Sequence, residues 1–545
     1  MKLRKIYTSA GILLLSLFCI GDAVAKDAKF ETGVSFGSTG ADEPYSSLTD
    51  KDGNYYISGT CRGDVEFAGG ATIKGRGGMD AVIVKYDAEL NFLWARVVGG
   101  SKDDTFERIA VTSAGDIVAV GKISGDVTID GTDQTLSGTQ STDGCIVVYD
   151  KDGNYKSSAQ IKAAGASLCY SVAVDKSGNI FVTGSTVGAT DFGNEKTVTI
   201  EGSSPGTFLA CYNNSLVCQW AIAGSSPVQS YGWAVNFDKE ENILLTGRFG
   251  TTFTITGTDG EALTTAVGSE SSQDTYVAKL SHEGVGQWIT YVTNSNRIDT
   301  RSIDSDSQGN VYIWGHCQSA VTPEGQSPLG FNGNFDSFLI KYSSAGAYLD
   351  GMNLGGSGRD EAKSLFVDAD DNIYVAGNVN GDGSKGGTAV NMNPRGESKD
   401  YTFKGHDGYV AKYNGSTWEL MQLEKTVTPD NANQHEVAWC VTMSPDYNKV
   451  YVTGYFNNGA TVFDGASLTL PFVRDYDIYT VLYSYTLMVK TKTLEPGVAN
   501  EPYYNNIVVD NVEGAVKFEI VSGTLPDGIT LSKDGAFAGT PTKNG

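Results

Sequence analysis

The sequence predicts an all-β protein assembled from seven copies of one unit, and three observations predict it. A strand-like segment ending in glycine recurs, first as "DKDGNYYISG" closing on Gly59. It returns at Gly121, Gly184, Gly247, Gly315, Gly377 and Gly454, at intervals of 62, 63, 63, 68, 62 and 77 residues. A second signature, "DAVIVKY" from Asp80, travels with the first and recurs from Asp143, Gly206, Asp274, Asp336, Asp407 and Asp477. Inside each copy the residues alternate as on a pleated strand, Val82, Val84 and Tyr86 against Ala81, Ile83 and Lys85. The 67 glycines against 13 prolines suit many tight turns, and no amphipathic window carries helix caps.

Taken in order, a unit reads as strand A ("ERIAVT"), strand B ("DIVAVG"), a long excursion, strand C ("DAVIVKY") and strand D ("FLWARVV"). Four antiparallel strands repeated seven times predict a β-propeller. The ends test this. Phe30–Gly59 aligns without a gap on Phe92–Gly121, which lays "FETGVSFG" over a strand D. The chain thus begins with an orphan strand D, and the last unit lacks one after "DIYTVLYSY". The N-terminal strand is expected to complete the seventh blade and remove an exposed edge, with Tyr485–Lys490 competing for the place. The domain reading is residues 1–25 as a signal peptide, 26–490 as the propeller, and 491–545 as a further module.

The string "DKDGN" occurs at Asp50–Asn54 and Asp150–Asn154. Its oxygen-rich residues suggest a calcium loop, but one copy lies between strands A and B and the other between C and D. It lacks the twelve-residue spacing and closing Glu of an EF-hand. Turn chemistry is the expectation, since Asp and Asn tolerate the left-handed region and Gly favours it. "RGD" at Arg62–Asp64 suggests an adhesion tripeptide, yet Gly63-Asp64 has counterparts at Gly125-Asp126 and Gly381-Asp382. "GVSFG" and "GSSPG" match GxSxG, but neither precedes the helix a nucleophile elbow needs. The recurring strand-C aspartates are expected to bond backbone amides in every blade.

Lys2, Arg4 and Lys5, an apolar run to Ile20 and Ala23-Val24-Ala25 read as a secretory signal, so export is expected, to the periplasm, the outer surface or the medium. A lipidated Cys19 is the alternative. No later segment is apolar enough to span a membrane. The formal net charge of −24 opposes nucleic acid and anionic membranes as partners. Of 8 cysteines, seven remain after the leader and no CxxC exists. Cys211 and Cys218 are a candidate disulfide across one hairpin, the rest buried thiols. The four histidines, His282, His316, His406 and His435, sit in four units with no ligand spacing. No metal, cofactor or catalytic residue is assigned, and a monomer is expected.

"GGSGRDEAKSLFVDADDNIYVAG" (Gly355–Gly377), with "DAVIVKYDAELNFLW" elsewhere, resembles the bacterial seven-bladed β-propeller repeat family of exported proteins. The resemblance covers Phe30 to Lys490, with Gly206 replacing the strand-C aspartate and an enlarged last interval. It implies a fold and no particular ligand. "SGTLPDGITLS" (Ser522–Ser532) and "GTPT" (Gly539–Thr542) resemble the immunoglobulin-like, cadherin-like repeats of bacterial surface proteins, which implies a spacer or adhesion role. That module is expected to be incomplete.

Function is expected where residues break the repeat. Tyr231, Arg297, Arg359 and His435, in or beside the D–A loops, are the candidate ligand contacts, suited to sugar stacking or acidic groups. The resulting expectation is an exported binding, adhesion or interaction scaffold for an extracellular glycan or protein. A carbohydrate-acting enzyme with a paired-carboxylate site on the propeller, or a spacer without a ligand, are the alternatives.

Overall fold

The computed structural model describes residues 4–8, 11–18 and 28–542, apart from 68–69, 267–272, 381–387, 398–399, 404, 428–434, 458–460, 464–465, 469, 472, 474, 486–487, 490–493, 495–496, 511–516 and 523. Two compact units result, Thr32–Leu482 and a smaller one of Met1–Glu31 with Tyr483–Gly545. Every ordered element among the described residues is a strand.

In the larger unit each repeat folds as the antiparallel order A-B-C-D. Repeat 1 uses Glu43–Thr49, Tyr55–Cys61, Asp80–Tyr86 and Phe92–Gly100. The seventh supplies Glu436–Met443, Lys449–Phe456 and Asp477–Ser484, and its fourth strand is Lys29–Phe36 from the other end of the chain. Strands B and C are buried along their whole length in repeat 1. That is why "AVIVKY" is apolar on both of its faces: sheets pack on either side.

Adjacent repeats share cores. Val118, Val120, Ile146 and Val148 of repeat 2 pack on Val172, Ile180, Val182 and Phe208 of repeat 3. Tyr55, Ile57, Val82 and Val84 of repeat 1 share a cluster with Tyr451, Ile478 and Leu482 of repeat 7. There Tyr55 and Tyr451 stack with ring centroids 4.5 Å apart. Each such side chain contributes about 1.5–3 kcal/mol through burial.

The long B–C excursions fold back across the preceding repeat's strand D. Val127–Ile129 pairs with Val98–Gly100, and Thr190–Asp191 with Lys162–Ala163. Ile255 lies opposite Gly224, Thr322–Pro323 opposite Val292–Thr293, and Val462–Phe463 opposite Thr426–Val427. Each excursion therefore covers a strand edge that would otherwise be unpaired.

Both copies of "DKDGN" are turns with the same internal bonding. Asp50 Oδ1 accepts from the amides of Asp52 and Asn54, both at 2.9 Å, and Oδ2 from Asn54 Nδ2 at 2.8 Å. Asp150 repeats this with Asp152 and Asn154 at 2.9, 2.8 and 2.9 Å. Gly53 and Gly153 hold φ of 82° and 80°, the left-handed position such a turn requires. The strand-C aspartates also bond amides: Asp80 accepts from Arg76 N, Asp336 from Asn332 N and Asp477 from Val473 N, each at 2.6 Å. Asp143 takes the Gln160 side-chain amide at 3.0 Å.

The Cys211–Cys218 disulfide is corrected. Cys211 lies opposite Trp220, and Cys218 opposite Tyr212 beyond a register shift. The two thiols enter different core clusters on opposite faces of the sheet. Both are free, and burial pushes each up to about 12.

In the smaller unit Tyr503–Asn506, Ala536–Gly539 and Ile529–Leu531 form one sheet over a core of Ile507, Phe518 and Phe537. Arg4–Thr8 and Gly11–Phe18 are strands that pair with each other, and Gly11–Phe18 pairs on its other side with Lys517–Ser522. Cys19 and the Ala23–Ala25 cleavage motif lie outside the described residues.

Candidate functional site: a central chamber built by seven bulges

Strand A carries one β-bulge in every repeat, and always at the same place. The register with strand B skips one residue, which is Tyr45, Glu107, Tyr170, Trp233, Arg301, Lys363 and Trp439 in repeats 1 to 7. A bulge leaves its extra residue unpaired and re-aims its side chain. The cost falls on strand B. Opposite each bulge sits the repeat's signature glycine, and the carbonyl two residues before the bulge occupies the space its Cβ would need: Glu43 against Gly59, Leu168 against Gly184, Val437 against Gly454. The glycine that counts the repeats is thus the partner of the bulge.

The seven re-aimed side chains line one chamber of about 70 Å³, together with Arg108, Ser364 and Cys440. All seven are half-buried, although their strand neighbours are mostly buried. Two arcs of contact run around the wall. Tyr170 packs on Trp233 at 4.4 Å between centroids, and the Arg301 guanidinium lies 5.5 Å from the Trp233 ring. Lys363 Nζ sits 4.2 Å from the Trp439 ring, which meets Tyr45 at 5.7 Å. Cation and π-face attract in both arcs. Glu107 stands apart, accepting from Thr105 Oγ1 at 2.8 Å, and burial pushes its carboxyl up.

Arg108, next to Glu107, reaches from repeat 2 to the carbonyl of Arg301 in repeat 5, 3.5 Å away. The equivalent position elsewhere holds Ser46, Ser171, Ala234, Ser302, Ser364 or Cys440. The Nε atoms of Arg108 and Arg301 and the Trp233 indole N–H are buried without a hydrogen-bond partner.

A second tier surrounds the chamber, and here ion pairs are satisfied. Asp299 receives Arg297 at 2.7 Å and Arg248 at 3.1 Å, with His316 Nε2 at 3.6 Å. Burial alone would raise Asp299, but His316, Arg301 and Arg248 outweigh it and hold the carboxyl far below its usual range. Glu361 pairs with Arg359 at 2.6 Å and Lys363 at 2.8 Å. Burial is again outweighed there, chiefly by Lys363, and the carboxyl is held low.

The four residues chosen from the sequence all reach this tier, without touching one another. Tyr231 stacks on Trp233 at 5.6 Å and lies under Arg248 at 4.8 Å. Arg297 and Arg359 are committed to Asp299 and Glu361. His435 faces His406 with centroids 4.0 Å apart, a pairing that the sequence spacing hid. Burial and then His435 push His406 down to about 4. Among the described residues no cluster of three His, Cys, Asp or Glu side chains is placed to hold a metal.

The chamber's own residues lie within strand A, away from the loops in which departures from the repeat stand out in the sequence. The available signal was a count: each stands fourteen residues before the strand-B glycine, fifteen in the last repeat. That column reads Tyr, Glu, Tyr, Trp, Arg, Lys, Trp.

A family profile described as "SBBP: Beta-propeller repeat" matches residues 158–193. An uncharacterized WD repeat-containing protein, L264, of Acanthamoeba polyphaga mimivirus is 21% identical over 435 residues, 65% of this chain. The chain spans 31% of the length of that curated relative. Among solved structures, the Dos1 propeller aligns with a TM-score of 0.39 and 9% identity, covering 86% of this chain and 99% of that one. The periplasmic gluconolactonase PpgL of Pseudomonas aeruginosa aligns at 0.35 and 11%, covering 73% and 94%.

Proposed function

We propose that this β-propeller repeat protein is an exported binding scaffold whose ligand enters the central chamber. In this reading the seven four-stranded sheets form a ring of seven blades, fastened by the strand Lys29–Phe36, and the C-terminal segment is an immunoglobulin-like module. One observation carries it. A single structural device, bulge plus glycine, is kept in all seven repeats, while the side chains it delivers are of five kinds: Tyr, Trp, Glu, Arg and Lys. Repetition of that residue is not what folding requires, so its chemistry is free to serve recognition.

The content of the chamber favours binding over the paired-carboxylate hydrolase. Glu107 is the one carboxylate among the lining residues, and four of the others are aromatic. Aromatic faces and a few fixed polar groups are what a small-ligand or sugar site needs. The test is an array of glycans and matrix proteins probed with the full chain. A saturable hit that weakens about tenfold or more in Trp233→Ala supports the reading. A hit unchanged in that variant would move the site elsewhere, and silence from folded protein would favour a spacer.

A further inference from the structure

We propose that the chamber receives a carboxylate carried on a sugar ring, the acidic end residue of a glycan, with Arg108 and Arg301 as its anchors. This rests on the binding reading above and narrows it to a ligand class.

Charge is the first argument. The protein carries a formal net charge of −24, yet the chamber wall holds Arg108, Arg301 and Lys363 against Glu107 alone. Five of the chain's eleven arginines lie in or beside it: Arg108, Arg248, Arg297, Arg301 and Arg359. Three of those five have carboxylate partners within 3.1 Å in the outer tier, and Lys363 has Glu361. Arg108 and Arg301 have none: among the described residues neither makes a contact ion pair, and Glu107 and Asp299 act on them only at longer range. The Nε of each is buried and unbonded, as are those of Arg248 and Arg297. A guanidinium without a contact partner keeps its donors available to a ligand. The scaffold does not ask for Arg108 either, since the other repeats manage with small residues there.

Geometry is the second argument. A guanidinium presents parallel N–H groups that match a carboxylate, which an ammonium cannot do. The Tyr170–Trp233 and Tyr45–Trp439 pairs offer flat faces for a sugar ring beside that anchor. The unbonded indole N–H of Trp233 is a donor for a ring hydroxyl. A chamber of about 70 Å³, bridged by Arg108 from repeat 2 to repeat 5, admits a carboxylate and part of one ring. An end residue is the part of a glycan that matches this volume.

The experiment titrates the full chain by tryptophan fluorescence and calorimetry with two probes, a galacturonic-acid trisaccharide and the neutral galactose trisaccharide. The acidic probe is expected to bind about tenfold or more tightly than the neutral one, and to weaken as salt rises from about 50 to 300 mM. Arg301→Gln should remove that preference, lowering affinity for the acidic probe at least about tenfold more than affinity for the neutral one. It should also leave the thermal midpoint within a few degrees of wild type, because Arg297 and Arg248 keep Asp299 paired without it. Equal binding of both probes would overturn the acidic-ligand proposal and leave the binding scaffold standing. Failure of both probes would overturn the proposal for sugars, and array silence in addition would remove the scaffold reading. A midpoint lowered by several degrees in Arg301→Gln would show Arg301 to be structural, which also overturns it.

Discussion

The hairpin turns and the central chamber spend their polar groups in opposite ways. At the turns, Asp50 and Asp150 direct both carboxylate oxygens into their own loops, and one pattern of bonds serves two different hairpins. In the chamber, Arg108 and Arg301 make no contact ion pair and each leaves its Nε unbonded, and no two adjacent repeats offer the same side chain. The difference teaches how a repeat protein separates tasks. Positions that satisfy themselves locally can be copied, and positions left unsatisfied are those the proposal assigns to a ligand.

The comparison is broken most severely by removing the device that joins its two halves. Gly184→Val would place a side chain on the Leu168 carbonyl behind the Tyr170 bulge. The expected loss is about 1–3 kcal/mol from overpacking, read from denaturant midpoints. Unchanged stability would show that bulge and glycine are independent.

Next in size is a pH effect. Burial pushes Asp104 and Asp360 up to about 7, against the hydrogen bonds they accept from backbone amides. A carboxyl with a folded pKa near 7 and an unfolded one of about 3.9 binds its proton first in the native state. Stability therefore rises as pH falls through 7, so the thermal midpoint should be higher at pH 6.5 than at pH 8. Below that window the opposite sign enters. His316, His406 and His435 are all held below the usual imidazole value by burial, so acid protonates them first in the unfolded chain. Asp104→Asn should flatten the rise between pH 8 and 6.5. A midpoint that falls across that interval would contradict the assignment.

The smallest effect belongs to a turn. Asp150→Ala removes three hydrogen bonds from an exposed loop and should cost about 1 kcal/mol, with no change in ligand affinity. It sharpens the comparison, because stability falls there without a change in recognition.

The fold was legible because it is repetitive. Gly59 to Gly454 mark places where strand A crowds strand B, so no other residue fits and the period is written into the chain. The orphan "FETGVSFG" likewise announced a strand, and Lys29–Phe36 indeed pairs with Asp477–Ser484. The chamber was illegible for the complementary reason. Tyr45, Glu107, Tyr170, Trp233, Arg301, Lys363 and Trp439 mix four aromatic residues with one acidic and two basic ones, so no single residue type marks the column. Arg108 broke the pattern more sharply than the chosen loop residues, but inside a strand whose other members are small or apolar. Arg297, Arg359 and His435 were found because all three sit four residues before a bulge, where the loop is already visibly irregular. The Cys211–Cys218 expectation failed on one register shift, which sends the two thiols to opposite faces.

The most direct measurement places the two regions side by side: titration of one array-selected ligand into wild type, Trp233→Ala and Asp150→Ala, each shown to be folded. The predicted result is binding lost or weakened about tenfold or more in Trp233→Ala and retained in Asp150→Ala. Equal binding in all three, or loss confined to Asp150→Ala, would contradict the claim that the central chamber is where this protein meets its ligand.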